Sequence, residues 1–240
     1  MVKLSGRVVL VTGGTSGIGL AIARAFSDEG ATAIVCGSRE DGVKALANDP
    51  KVLATVCDVT NRQQVAELVR RIDADHGGID VLVTSAGINV ANRMMANIDP
   101  SDFDRVLAVN TTGVFNCIHA ALPGMRARGE GLIVNVISLA GRRVLELAGM
   151  PYCVSKFAAS ALGTFVGMEE APHGIRVTNV YPGETNTPLV DKRPTPPPPE
   201  KREQMVQPDD IAECVVAIAK LPARAVVPEI VITPPHMMTG

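Results

Sequence analysis

The chain has 240 residues, of which 46% are apolar, and a formal net charge of −2 at pH 7. That is enough apolar mass for one sizeable core and excludes disorder as the default state. The near-neutral charge, with no long basic run, gives no footprint for nucleic acid or an anionic membrane.

The first predicted strand, residues 7–11, runs into Thr12-Gly13-Gly14-Thr15-Ser16-Gly17-Ile18-Gly19 and then a helical pattern over 18–27. Glycines here permit a tight turn, close approach of backbone to a pyrophosphate, and close packing of helix on strand. The helix N-terminus adds free N–H groups and the positive end of a dipole. A plain strand–helix junction could use the same residues, and so could a methyltransferase. The second strand, 32–36, ends in Gly37-Ser38-Arg39. An acid at that point would hold the ribose diol of NAD, whereas an arginine accommodates the 2′-phosphate of NADP. Gly37 leaves the acidic position open, so Ser38 and Arg39 favour NADP, with NAD possible. The alternative is a solvated Arg39 compensated by Glu40.

The third strand, 52–57, is followed by Asp58 and Val59 as candidate cofactor contacts; Asp58 could accept from an adenine amine or close a strand-end turn. A helical pattern over 62–75 leads to the fourth strand, 81–83, which closes on Ser85-Ala86-Gly87. Small residues there let a cofactor lie against the backbone. The next helix, 102–128, is apolar on more than one side through Val106, Leu107, Val114, Phe115 and Ile118, so it needs covering twice.

After a fifth strand, 132–136, a helix over 152–170 opens with Tyr152-Cys153-Val154-Ser155-Lys156. Residues four apart share a helix face, so phenol and ammonium can approach one point. A tyrosine of pKa near ~10 is a poor base, and a nearby ammonium with a cationic nicotinamide would lower it. The sixth strand, 176–180, precedes residues 183–207, in which Thr195-Pro196-Pro197-Pro198-Pro199 excludes helix and central strand alike. A helix over 208–220, with Pro208 and two acids at its start, and a strand over 226–232 complete the chain.

The strands are continuous apolar runs, as in parallel sheets covered on both faces, and they alternate with helices. The expected architecture is an α/β Rossmann-type doubly wound sheet of about seven strands, forming one domain over 1–240. Uninterrupted apolar stretches are strand-sized, below the ~20 residues of a membrane helix. Five scattered cysteines and four histidines lack metal-ligand spacing, so no metal is expected. With no signal-peptide pattern at residues 1–6, a cytoplasmic protein is expected.

Taken in order, T-G-G-T-S-G-I-G, Asn110, Ser138, Y-C-V-S-K and Tyr181-Pro182-Gly183 resemble the short-chain dehydrogenase/reductase family over about nine-tenths of the chain. The resemblance implies strand order 3-2-1-4-5-6-7 and a catalytic set of Asn110, Ser138, Tyr152 and Lys156. Tyr152 would be the general acid/base and Ser138 the carbonyl polariser. Lys156 would lower the Tyr152 pKa and hold the nicotinamide ribose, and Asn110 would anchor a water relay behind it. Pro182 and Gly183 would flank the nicotinamide, with Thr187 near its amide or the phosphates.

By the same resemblance, residues 183–207 are the substrate loop, the substrate is a small carbonyl compound or alcohol, and the helices at 102–128 and 152–170 pair in a homodimer or homotetramer. Thr84-Ser85-Ala86-Gly87 departs from the family's Asn-Asn-Ala-Gly, so Ser85 is expected to brace the strands. Arg142 and Arg143 are expected as a solvated pair rather than as an anion site. A non-catalytic dinucleotide-binding regulator, or an epimerase or dehydratase, could stand on the same scaffold; Ser138, Tyr152 and Lys156 together favour catalysis over the regulator.

Overall fold

Every residue of β1 (Val8–Thr12) is buried, which a strand achieves only when both faces of its sheet are covered. Val9 and Val11 point into one apolar layer, while Val8 and Leu10 point into another. The computed structural model, which describes residues 2–237, extends this alternation across a seven-stranded sheet. β2 (Thr32–Gly37), β3 (Leu53–Val56), β4 (Val81–Thr84), β5 (Gly131–Val136), β6 (Ile175–Pro182) and β7 (Glu229–Ile232) join β1 in the order β3-β2-β1-β4-β5-β6-β7. All pairings are parallel. This is the expected strand order.

On one face, α1 (Gly17–Asp28) and α8 (Pro208–Ala219) pack Ile22, Phe26, Ile211 and Val215 against Val9, Val83 and Val134. On the other, α3 (Arg62–His76), α5 (Gly113–Arg128) and α6 (Met150–Glu170) bring Leu68, Ile118, Met125 and Val166 to Leu10, Leu82, Ile133 and Val177. The chain winds outward from β1 to β3, then returns to the middle at β4 and winds the other way. A crevice therefore opens at the carboxyl ends of β1 and β4, where the crossover loops part.

Several elements differ from expectation. A short helix, α2 (Glu40–Lys44), follows β2. α4 (Pro100–Leu107), a π turn at Ala108–Thr112 and α5 form one continuous rod. This segment, Pro100–Arg128, is long and apolar enough to cross a membrane by length and composition, which corrects the expectation that no apolar segment exceeds strand size. Its apolar residues are spaced around a helix rather than in an unbroken run, and Val106, Val114, Ile118 and Met125 are buried inside the protein. Residues 183–207 hold a 3₁₀ turn, Pro188–Lys192, and α7 (Pro199–Glu203). The last proline of the run thus begins a helix, because its missing N–H is no loss at the first helical position.

The strand brace also falls on a different residue. Thr84 Oγ1 donates to Asn135 Oδ1 at 2.8 Å, and Asn135 Nδ2 donates to Asn179 Oδ1 at 3.0 Å. Asn179 Nδ2 in turn donates to Ser160 O at 3.1 Å and Thr164 Oγ1 at 3.2 Å on α6. Ser85 lies one residue beyond the strand and faces the cleft instead. Thr84→Val keeps the shape and removes one donor from a buried chain of amides. It should destabilise the protein by about 1–3 kcal/mol, read as a lower denaturant midpoint at unchanged slope, with Thr84→Ser retaining most of the stability.

Candidate active site

The turn after β1 fits because it lacks side chains. Gly13 has φ +65°, and a Cβ there would lie 2.5 Å from Ala86 Cα. Gly19 is buried in the first turn of α1, where a Cβ would meet Gly13 O at 2.5 Å. Two glycines thus let β1, α1 and the end of β4 converge. The N-cap residue of α1, Ser16, makes no side-chain cap, and the first turn holds no acid. The N–H groups of the first turn and the positive dipole end therefore face the cleft without an internal anion, a cradle suited to phosphate.

A cleft of about 770 Å³ runs along the carboxyl ends of the central strands. Gly13, Thr15, Ser16, Gly17 and Ile18 line its floor. Ser38, Arg39, Asp58 and Val59 line one end, and Ser85, Ala86 and Gly87 the middle. Ser138, Tyr152, Lys156, Pro182, Gly183 and Thr187 line the other end. Of the candidate catalytic and cofactor-binding residues, Gly19 and Asn110 do not border the cleft; both stand behind it.

At the first end, Ser38 and Arg39 are exposed. Glu40 is held by Lys44 at 2.9 Å, so the acid beside Arg39 already has another partner. Gly37 leaves room for Thr15: a Cβ at 37 would sit 2.9 Å from Thr15 Cγ2. Asp58 closes a turn, its Oδ1 accepting from Thr60 N and Thr60 Oγ1 at 2.9 Å each. It is a turn residue as well as a wall of the cleft.

At the other end, Lys156 is 4% exposed and donates from Nζ to Val136 O at 3.1 Å. Burial pushes its ammonium down to about 8. Nζ lies 5.6 Å from the centre of the Tyr152 ring. Tyr152 itself is pushed up to about 12 by burial, opposed by a hydrogen bond with Ser138. Burial disfavours the phenolate more than the Ser138 hydrogen bond favours it. Tyr152 rests as the neutral acid.

Asn110 sits in the π turn and is fully buried. Its Oδ1 accepts from Ile88 N at 2.8 Å, and its Nδ2 donates to Ile88 O and Ser155 Oγ, both at 3.0 Å. This ties the segment after β4 to the second turn of α6. At Gly87 a Cβ would lie 3.5 Å from Lys156 Nζ and 3.6 Å from Asn110 Oδ1, so these three positions are immediate neighbours.

Sequence reasoning missed Arg93 and Glu184, both buried residues bordering the cleft. Glu184 follows the Pro182-Gly183 signal directly, but Arg93 lies in a patternless loop. Arg142 and Arg143 do not border the cleft. Arg142 pairs with Glu229 at 3.3 Å and covers the Tyr181 ring at 5.3 Å, and Arg143 donates to Met237 O at 3.4 Å.

Residues 7–197 match a family model described as short chain dehydrogenase. A glycine betaine reductase of Emericella nidulans is 36% identical over 241 residues; the match covers 96% of this chain but only 19% of that much longer protein. A serine dehydrogenase solved with NADP+ superposes with a TM-score of 0.87 at 26% identity, covering 97% of this chain and 96% of the other. A 3-ketoacyl-(acyl-carrier-protein) reductase from Brucella melitensis, solved with NADH, gives a TM-score of 0.86 at 27% identity over 98% and 100% of the two chains.

The depressed Lys156 yields a stability test with a definite sign. Below about 8 the folded state holds a buried ammonium that the unfolded chain would solvate, so Lys156 lowers stability there. Lys156→Met should stabilise the protein by about 1–3 kcal/mol near pH 7. The gain should shrink between about 8 and 10.5, as the lysine becomes neutral in both states. Denaturant melts of both proteins at neutral and alkaline pH measure it.

Proposed function

The chain belongs to the short chain dehydrogenase family, and from that premise we propose that it is an NADP(H)-dependent oxidoreductase acting between a carbonyl compound and a secondary alcohol. One observation carries this reading. Ser138, Tyr152 and Lys156 border one end of a cleft whose floor is the open N-terminus of α1.

The cleft fits a dinucleotide. The cradle at Gly13, which a Cβ would fill, takes the pyrophosphate on the α1 N-terminus, and Asp58, Val59 and Ser85 to Gly87 wall the adenosine half. Pro182, Gly183, Thr187 and Lys156 would hold the nicotinamide half. When bound, the cofactor supplies or accepts the hydride at the substrate carbon. Tyr152, resting as a neutral phenol, donates its proton to the carbonyl oxygen during reduction, so charge does not accumulate there. Ser138 holds that oxygen. Asn110 positions the Ile88 and Ser155 segments around Lys156.

Of the two solved complexes compared above, one contains NADP+ and the other NADH, so the phosphate preference rests on this chain's own residues. Gly37 puts no carboxylate beside the ribose, and Arg39 stands on the wall with its neighbouring acid paired elsewhere. We further propose one cytoplasmic domain with residues 183–207 as its substrate loop. It would assemble as a homodimer or homotetramer through α5 and α6, where Phe115, Val154, Phe157, Phe165 and Met168 are exposed.

Tyr152→Phe keeps the ring and removes the proton, so turnover should fall by ~10²–10⁴ or more with cofactor affinity little changed. NADPH oxidation with a panel of ketones, beside a coenzyme titration, measures both; near-normal turnover in folded protein would remove Tyr152 from the chemistry. For the coenzyme, the ratio of kcat/KM for NADPH over NADH should exceed one by roughly tenfold to a hundredfold and shrink with salt. Arg39→Ala should erase most of it. Adding Gly37→Asp should reverse it, provided Thr15 rotates away from the new side chain. A ratio untouched by Arg39→Ala makes Arg39 a surface residue.

A further inference from the structure

Arg93 is 5% exposed and borders the cleft. Its stem lies against Gly149, where a Cβ would come within 2.5 Å of Arg93 Cβ. Nη1 donates to Leu147 O at 3.1 Å and Nη2 donates to Lys192 O at 2.9 Å. These carbonyls lie on two walls of the cleft: the segment between Ser138 and Tyr152, and the segment proposed as the substrate loop. Nε is buried without a hydrogen-bond partner.

Among the described residues, no carboxylate pairs with this guanidinium. Glu184, an acid on the same cleft, is taken by Arg193 at 2.8 Å, His236 at 3.4 Å and Lys201 at 3.8 Å. Glu146, also on the cleft, is exposed. Arg193 adds a second positive charge that opposes the first, and burial acts in the same direction. A guanidinium stays charged in a protein. Burying it on two neutral carbonyls, with one N–H orphaned, is unfavourable unless an anion completes the site.

We propose that Arg93 determines specificity by holding a carboxylate of the substrate, which makes the substrate class short oxo acids and the matching hydroxy acids. The inference rests on the oxidoreductase reading above and adds the second functional group of its substrate. Each Nη keeps a second N–H beyond its carbonyl bond, and a guanidinium presents its N–H groups in parallel pairs that match a planar carboxylate. Loss of the carboxylate would leave the cation unpaired again, so a neutral analogue should be poorly accepted.

The test compares acetoacetate and 2-oxobutyrate with their methyl esters, followed by coenzyme oxidation in the wild type, Arg93→Met and Arg93→Lys. The wild type should favour each acid over its ester by about tenfold or more in kcat/KM, and Arg93→Met should lose about 30-fold to 100-fold on the acids, mainly through KM. The esters should change by less than about threefold, with coenzyme affinity intact and Arg93→Lys intermediate. Equal losses on acid and ester would make Arg93 a latch between two walls and overturn the proposal. So would wild-type preference for the esters, or for dihydroxyacetone phosphate over the acids. A wild-type arm needs no variant: butyrate should inhibit ester reduction competitively and butyramide should not, whereas equal effects overturn the assignment. Turnover of esters with no preference for acids sinks this inference alone; no turnover of any ketone with either coenzyme sinks the oxidoreductase reading as well.

Discussion

Gly13 comes so near the backbone of Ala86 that no side chain fits between them, and this contact sets where everything else in the cleft must lie. It brings the end of β1 against the end of β4 at the point where the winding of the sheet reverses. The first turn of α1 is then aimed across the opening rather than buried under a loop. Gly19 repeats the same device one turn later by letting α1 sit on the turn that starts it. Strand order makes a crevice; the missing Cβ atoms make it wide enough for a phosphate to meet backbone N–H groups.

The opposite end depends on a buried polar scaffold rather than on small residues. Asn110 occupies a π turn, a distortion that interrupts the regular i→i−4 ladder of a long rod. Its amide joins Ile88 to Ser155. Nearby, Thr84, Asn135 and Asn179 carry hydrogen bonds across three strands to α6. These groups are satisfied, so they stiffen the frame around Tyr152 and Lys156 without leaving orphaned donors. Burial then does the electrostatic tuning: it moves the phenol up and the ammonium down, and each resting state follows from desolvation more than from the other group.

Arg93 behaves differently from both ends. It bridges two walls through carbonyls, and no acid neutralises it among the described residues. Two buried acids are paired: Glu170 is fully buried and held by Arg126, and Glu184 has Arg193, Lys201 and His236 around it. Lys156 is likewise a buried cation held by a backbone carbonyl, Val136 O, and it stands on the same cleft.

The strand–helix alternation, the parallel sheet, the glycine turn and the tyrosine–lysine pair were all legible in the sequence, because each rests on local spacing. Burial on both faces of the sheet made Val8 to Thr12 a continuous rather than alternating run, and four-residue spacing put Tyr152 and Lys156 on one helix face. What depended on partners distant in the chain was not legible. Thr84 rather than Ser85 braces the strands, because the register of β4 on β5 sets Thr84 opposite Asn135. Arg142 turns to Glu229, a residue near the far end of the chain, and leaves the cleft. Residues 183–207 fold into two short helices, since a proline run constrains its own interior but not the residue that ends it. Four-residue spacing shows that Lys156 lies near Tyr152, but the desolvation that raises the phenol is set by everything packed around it. Arg93 had no signal at all; only the folding of three separate loops around it turned an ordinary loop arginine into a buried, unneutralised charge.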